Sequence, residues 1–178
     1  GNDPVYAEAA RATGQWIGEH GGQLVYGGGR NGLMGTVAEA TQAAGGRVVG
    51  IIPKALVDLE QANTHCDELH VVDTMHERKR LMAEHAIALP GGIGTFEELF
   101  EVWTWRQLRY HDKAIGVLNV AGYYDALLVF LANSVRAGFM SEAQMTLFKT
   151  DTAVEPLMRA VVQAAGVQQV PNTLEDKL

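Results

Sequence analysis

The chain has 178 residues, of which 47% are hydrophobic and 20% are charged, a balance that excludes a disordered or fibrous protein. Its 14 Lys and Arg against 21 Asp and Glu give a net charge of -7, which excludes the overall basic character of nucleic-acid binding. The one cysteine, Cys66, excludes an internal disulfide, and no apolar run is long enough to span a membrane. We therefore expect a single cytoplasmic domain over residues 1–178, with no nucleic-acid or membrane partner.

Helical and strand patterns alternate along the chain. Helices are predicted at Pro4–His20, Leu33–Ala44, Met75–His85, Phe96–Arg109, Tyr123–Ala137 and Ala153–Ala165. Strands are predicted at Leu24–Tyr26, Val48–Ile52, Leu69–Val72, Ile87–Leu89 and Ile115–Leu118. This alternation predicts an α/β fold in which helices cover both faces of a parallel sheet. Because such a fold normally opens with a buried strand, we also expect a strand before Gly1, and a polar tail from about residue 168.

The first of two glycine clusters is Gly27-Gly28-Gly29-Arg30-Asn31-Gly32, which matches G-x-G-x-x-G between a strand and a helix. A dinucleotide site would need an acidic residue at the end of the next strand, which instead reads Ile51-Ile52-Pro53-Lys54. We therefore favour a wall of a phosphate or nucleotide site over dinucleotide oxidoreduction. A tight turn without a ligand remains as the structural alternative.

The second cluster belongs to the segment Leu89-Pro90-Gly91-Gly92-Ile93-Gly94-Thr95-Phe96-Glu97-Glu98, which ends a strand and starts a helix. Ligands of parallel α/β sheets bind at this carboxyl edge, and the free amides of a helix start suit a phosphate. Thr95 and Glu98 also match a T-x-x-E capping box, in which Glu98 would fold back onto the cap amide. That structural duty is the alternative to ligand contact for Glu98.

A third segment carries cations at the start of a helix. Thr74 and Glu77 match a second capping box, so Arg78 and Lys79 fall in or beside the first helical turn. Cations there oppose the helix dipole, which favours a bound anion that compensates for them. A solvated basic face is the alternative interpretation.

Taken together, three segments resemble the Lonely Guy (LOG) family of cytokinin riboside 5'-monophosphate phosphoribohydrolases, which are often labelled as lysine decarboxylases. The segments are Gly27–Gly35, Met75–Lys79 and Pro90–Glu98, and the last carries the specific motif P-G-G-x-G-T-x-x-E. The resemblance implies a Rossmann-like, doubly wound homodimer. It would hydrolyse the N-glycosidic bond of cytokinin ribotides and AMP, yielding free base and ribose 5-phosphate.

The resemblance implies no metal or redox cofactor. The residues agree, since no zinc spacing is matched by the candidate ligands His65, Cys66, His70 and His76. A homodimer also fits the helix that begins near Phe96, because Trp103 and Trp105 point to different faces and make it apolar on several sides.

The matching motifs imply which residues form the site. Arg78 and Glu98 are the implied catalytic pair. The implied substrate contacts include both of these residues, together with Glu60, Lys79, Gly91, Gly92, Ile93, Gly94, Thr95, Phe96, Glu97 and Thr104. The carboxylate of Glu98 suits an oxocarbenium-like transition state, and the guanidinium of Arg78 suits the departing base and the phosphate.

Two other functions remain open from the residues alone. One is a broader nucleoside 5'-monophosphate nucleosidase, and the other is a non-catalytic carrier of a phosphorylated ligand such as the molybdenum cofactor. Lysine decarboxylation is disfavoured because no lysine stands out as a carrier of pyridoxal phosphate. The segment from Arg80 to Leu89 is about three residues shorter than in the family, so we also expect omitted residues near Ala86.

Overall fold

A computed structural model of the protein describes residues 1–59, 61–82 and 85–166. The helices are α1 (Pro4–Glu19), α2 (Gly32–Ala43), α3 (Met75–Leu81), α4 (Ile93–Gln107), α5 (Asp125–Arg136), α6 (Glu142–Met145) and α7 (Val154–Ala164). The strands are β1 (Gln23–Tyr26), β2 (Arg47–Pro53), β3 (Glu68–Val72), β4 (Ala86–Ala88), β5 (Ile115–Leu118) and β6 (Lys149–Asp151). Within these ranges, each helix is too short or too polar to cross a membrane.

The strands form two three-stranded sheets, in the orders β1-β2-β3 and β4-β5-β6, and every pairing is parallel. Parallel neighbours need a crossover connection, which α2 supplies between β1 and β2 and α4 supplies between β4 and β5. The predicted parallel α/β fold is therefore confirmed. The division into two sheets was not predicted, and neither was β6, whose sequence Lys-Thr-Asp has no apolar pattern.

Helices cover both faces of the second sheet, as the sequence predicts for a doubly wound fold. All four residues of β5 are buried, as expected for a strand covered on both sides. Ile115 and Val117 pack with Trp103 of α4 and Leu131 of α5. Leu118 lies on the other side, with Ala9 of α1 and Leu157 and Val161 of α7.

Several predicted boundaries shift. The helix predicted at Met75–His85 is described only to Leu81, and residues 83 and 84 of that prediction lie outside the described residues. Helix α5 begins at Asp125 rather than Tyr123, because a short 3-10 turn at Val120–Gly122, with Ala121 at φ 53°, comes first. The predicted polar tail from residue 168 also lies outside the described residues.

Candidate active site

The loop that joins β4 to α4 leaves the start of a long helix open. Gly92 occupies the N-cap position of α4 and, as a glycine, has no side chain that could accept a hydrogen bond from the first amides of the helix. Gly92, Ile93 and Gly94 are all exposed, and the side chain of Ile93 is 84% exposed. The positive end of a 15-residue helix therefore faces solvent at a point where glycines allow close approach by an anion.

The predicted capping box of Thr95 and Glu98 is wrong. Helix α4 begins at Ile93, so both residues lie inside the helix rather than at its cap. The amides of Thr95 and Phe96 donate to the carbonyl of Gly92, at 3.0 and 3.2 Å, because the glycines allow the helix to start earlier than the T-x-x-E pattern indicates. Glu98 is therefore not needed as a capping carboxylate.

Two neighbouring tyrosines fix this loop from behind. The hydroxyl of Tyr123 donates to the carbonyl of Gly91, and the hydroxyl of Tyr124 donates to the carbonyl of Leu89 at 2.7 Å. Burial raises the pKa of Tyr124 far above its ordinary value, so its hydroxyl remains a donor. Sequence reasoning did not assign these two tyrosines a role.

A buried asparagine holds the tyrosine pair in turn. The side-chain oxygen of Asn119 accepts a hydrogen bond from the amide of Tyr124 at 2.7 Å, and its amide group donates to Asp125 at 2.7 Å. Asn119 is 7% exposed, and both of these contacts replace water in satisfying its polar atoms. The glycine loop therefore rests on a network that is largely removed from solvent.

Helix α3 begins largely as predicted. The hydroxyl of Thr74 accepts a hydrogen bond from the amide of Glu77 at 3.1 Å. The carboxylate of Glu77 accepts from the amide of Asp73 at 3.2 Å, one residue earlier than the predicted box requires. This cap places Arg78 and Lys79 directly after the first three helical residues.

The guanidinium of Arg78 lies against the backbone of Gly27, at the end of β1. A Cβ atom on Gly27 would come within 3.0 Å of Nη2 of Arg78, closer than real contacts allow. Nη1 lies 3.9 Å from the sulfur of Met75, and Nε is buried without a hydrogen-bond partner among the described residues. Within the part of the chain that the structure describes, no carboxylate lies within 4.0 Å of this guanidinium.

Lys79 connects α3 to α4. Its ammonium group pairs with Glu97 and, at 3.0 Å, with Glu101. The lysine side chain is only 14% exposed, and these carboxylates, Glu97 first, raise the pKa of Lys79. The predicted substrate contacts Lys79 and Glu97 are therefore paired with each other, and Glu101 is a third member that sequence reasoning missed.

Glu98 lies half-buried beside both cations. Burial is the main cause that raises the pKa of Glu98 above its ordinary value, and the neighbouring carboxylates of Glu97 and Glu101 add to the effect. The positive charge of Arg78, and to a lesser extent that of Lys79, opposes it. The two residues of the predicted catalytic pair thus lie within electrostatic reach of each other, although they come from different helices.

The remaining predicted contacts differ in position. The ring of Phe96 faces the core, with its centroid 6.3 Å from that of Tyr124, so only its backbone borders the open helix start. Thr104 lies 12 residues, about 18 Å of helix, beyond Gly92, and its hydroxyl donates to the carbonyl of Phe100. Thr104 lies on the same face of α4 as Glu97 and Glu101, and it is not part of the glycine loop. Glu60 lies outside the described residues.

These features define the class of protein. Parallel α/β sheets, an open glycine-rich helix start at a carboxyl edge and an adjoining carboxylate with cations are typical of proteins that bind phosphorylated ligands. The model of the family described as "Possible lysine decarboxylase" matches residues 34–161.

Relatives in plants are similar over most of the chain. The cytokinin riboside 5'-monophosphate phosphoribohydrolase LOG2 of Arabidopsis thaliana is 48% identical over 99% of this chain and 78% of its own length. A probable enzyme of the same name from Oryza sativa subsp. japonica, LOGL5, is 49% identical over 79% of this chain. The chain spans 58% of the length of LOGL5. The protein belongs to the LOG family, whose model carries the lysine decarboxylase description.

Solved structures with a similar fold are more distant in sequence. The molybdenum cofactor carrier protein of Chlamydomonas reinhardtii superposes with a TM-score of 0.67 at 20% identity, over 92% of this chain and 90% of that one. The molybdenum cofactor binding protein of Rippkaea orientalis gives a TM-score of 0.66 at 18% identity, over 90% and 88%. At these identities the likeness establishes the fold alone.

Proposed function

We propose that the protein hydrolyses the N-glycosidic bond of cytokinin riboside 5'-monophosphates, and of AMP, to free base and ribose 5-phosphate. The observation that carries the proposal is the half-buried Glu98 beside the guanidinium of Arg78, next to the open start of α4. A carboxylate, a cation and an anion-binding helix start are the groups that cleavage of a phosphorylated nucleoside requires. The names of the plant relatives supply the substrate class.

The carboxylate of Glu98 acts on the sugar. As the bond between ribose and base breaks, positive charge develops on the ribose, and a nearby anion in a partly desolvated site stabilises it. The same carboxylate accepts a proton from the water that attacks the anomeric carbon. The new bond forms between that carbon and the water oxygen, and the base leaves with the electron pair of the broken bond. The base takes up a proton from solvent, and Glu98 then releases to solvent the proton that it accepted, so that protons balance over the cycle.

The amides at the start of α4 and the cations of α3 act on the other parts of the nucleotide. The exposed amides around Gly92 and Gly94 suit a phosphate, since each points outward from a helix start. Arg78 is always charged, and its donors face no carboxylate among the described residues. It therefore suits contact with the phosphate or with the departing base.

Lys79 can bind the phosphate only if its ammonium group gives up one of its two carboxylate partners, Glu97 or Glu101. Glu97 is half-exposed and returns readily to water, whereas Glu101 is 25% exposed. We therefore infer that an arriving phosphate displaces Glu97 from the ammonium group while Glu101 stays. Competition of this kind lowers the affinity for free phosphate and favours a ligand that is also held elsewhere.

A second copy of the chain is part of the proposal. Large apolar side chains on and after α5 are exposed, namely Val129 and Phe130 at 61% and Phe139 at 86%. Exposed apolar groups mark interaction surfaces when they lie together, and Val129 and Phe130 are neighbours on α5. We propose a cytoplasmic homodimer of one-domain subunits that buries this surface. A Phe130→Lys change should then convert the dimer to a monomer in light scattering, and a dimer that persists would exclude this face.

Lysine decarboxylation is not supported by this site. A lysine that forms a Schiff base must reach its neutral form, whereas two carboxylates hold Lys79 in its charged form. The family description indicates a decarboxylase, whereas the names of the relatives indicate a phosphoribohydrolase. The charged Lys79 favours the phosphoribohydrolase activity.

The test is incubation with AMP and with isopentenyladenosine monophosphate, followed by chromatography of free base and ribose 5-phosphate. Release by the wild type that is lost in Glu98→Gln would support the proposal, and the ratio of the two rates would give the base preference. Equal rates on pyrimidine nucleotides would indicate the broader nucleosidase. Tight binding of nucleotide without release of base would contradict hydrolysis and favour a carrier.

A further inference from the structure

The first glycine cluster has no role in the proposed chemistry, and its glycines are needed for different reasons. Gly28 has φ +75° and Gly32 has φ +61°, so both use a backbone conformation that other residues rarely adopt. Gly27 has no positive φ. Conformational freedom therefore does not explain a glycine at position 27, and the space around it does.

Arg78 fills that space. A Cβ built on Gly27 would meet Nη2 of Arg78 within 3.0 Å and its Cζ at 3.4 Å, and the sulfur of Met34 lies at 3.4 Å. The backbone of Gly27 is buried, and Nη1 of the guanidinium lies 3.9 Å from the sulfur of Met75. The guanidinium therefore lies against the end of β1 and beside Met75.

Packing, rather than ion pairing, holds this guanidinium. None of the described carboxylates comes within salt-bridge distance of Arg78, whereas the adjacent Lys79 is paired twice. A side chain that must act on a ligand needs a fixed position without a competing anion. Contact with the peptide unit of Gly27 meets that need, because it confines the planar group sterically without placing a competing negative charge beside it.

We propose that Gly27 is a positioning residue, whose missing side chain provides the space in which the guanidinium of Arg78 is held for its action on the nucleotide. This inference rests on the proposed function for its effect on turnover. The contact between the two residues is independent of that function. The glycine motif thus contributes to the site through Arg78, 51 positions further along the chain.

The activity of Gly27→Ala is the first arm of the test. The added methyl group should displace the end of a flexible side chain rather than the backbone, so the protein should fold. We expect kcat to fall about 10-fold to 100-fold with KM changed less than about 3-fold, as for a misplaced group that acts in the transition state. A kcat equal to that of the wild type would overturn the proposal.

A thermal double-mutant cycle with Arg78→Ala is the second arm, and it needs no turnover. We expect Gly27→Ala to lower the unfolding midpoint when Arg78 is present and to leave it unchanged, or raise it by a few degrees, when Arg78 is absent. Equal shifts in both backgrounds would overturn the contact. If the wild type released no base, the proposed function would fail, while this cycle would still report on the contact.

Gly45→Ala is the matched control. Gly45 has φ +84° and open space around the position of a Cβ, in the turn that follows α2. Its replacement strains the backbone without touching Arg78. The midpoint should therefore fall by the same amount in both backgrounds, and only the Gly27 cycle should be non-additive.

Discussion

The two walls of the site are held in place by different forces. The glycine loop, Pro90–Gly92, rests on tyrosine hydroxyls and on the buried Asn119. Helix α3 has seven residues and is tied to α4 through Lys79 and its two carboxylates. Buried hydrogen bonds are insensitive to salt, whereas partly exposed ion pairs are screened by it. We therefore expect the glycine loop, which is the proposed anion-binding wall, to be the more rigid one, and the cationic wall to be the part that a ligand rearranges.

The largest effect should follow from Glu98→Gln, which removes the charge between the two walls. The rate of base release should fall about 100-fold to 1,000-fold, as when a group that stabilises transition-state charge is lost. Folding should survive, because Gln keeps nearly the same shape. The measurement is the single-turnover rate with AMP, and a rate within 3-fold of the wild type would remove Glu98 from the mechanism.

The same change should stabilise the protein near neutral pH. The pKa of Glu98 is raised on folding, so the folded state holds this proton more tightly than the unfolded state. Its ionised form therefore lowers stability increasingly as pH rises through the raised pKa, and the penalty disappears at pH below the unfolded value. Unfolding midpoints at pH 7.5 should be higher for Glu98→Gln, and the difference should narrow toward pH 4.

Lys79→Met should have the next largest effect on activity, because it removes the ion pairs between Lys79 of α3 and the carboxylates of Glu97 and Glu101 on α4. KM for AMP should rise about 10-fold, because a charge-assisted contact to the phosphate is lost. The KM of the wild type should also rise with salt more steeply than that of the variant. Arg159→Met is the matched control, since it breaks an exposed ion pair with Glu155 on α7. A KM that the control raises equally would contradict a specific role for Lys79.

The pH dependence of kcat/KM sharpens the same comparison. Activity should be lost as pH falls through the pKa of Glu98, at a pH above that of an ordinary glutamate, because the ionised form is the active one. The charge of Lys79 partly opposes the raised pKa, so Lys79→Met should move the acid limb to still higher pH. An acid limb that moves to lower pH in the variant would be inconsistent with this electrostatic account.

Tyr124→Phe should have the smallest effect, on the rigid wall. Loss of its hydrogen bond to the carbonyl of Leu89 should lower stability by about 1–3 kcal/mol, because that carbonyl is left without its donor. The rate should fall only a few-fold, and independently of salt. Tyr110→Phe, at a side chain that is 76% exposed, is the control and should change nothing.

Local pattern accounts for much of what the sequence predicts. Buried strands such as Val48–Ile52 and Ile115–Leu118 are continuous apolar runs, and each appears within a residue or two of its predicted position. The glycine segments and the cations of α3 are predictable because each is a run of adjacent residues whose types indicate a function. The start of α4 was misplaced because a T-x-x-E pattern and three glycines predict different first residues.

Contacts over long separations could not be predicted in this way. Tyr123 reaches Gly91 over 32 positions, Lys79 reaches Glu101 over 22, and Gly27 meets Arg78 over 51. Periodicity and capping rules describe neighbours within a few residues, so they assign none of these pairs. The structure therefore adds the residues that hold the site in position, whereas the candidate ligand-binding groups are predicted from the sequence.

The central claim is that Arg78 of α3 and Glu98 of α4 act on a single bound nucleotide. The most direct test measures release of radiolabelled adenine from AMP by the wild type, Arg78→Ala, Glu98→Gln and the double variant. If both groups stabilise one transition state, the double variant should be about as slow as the slower single variant. Losses that multiply would mean that the two residues act independently, which would contradict the account.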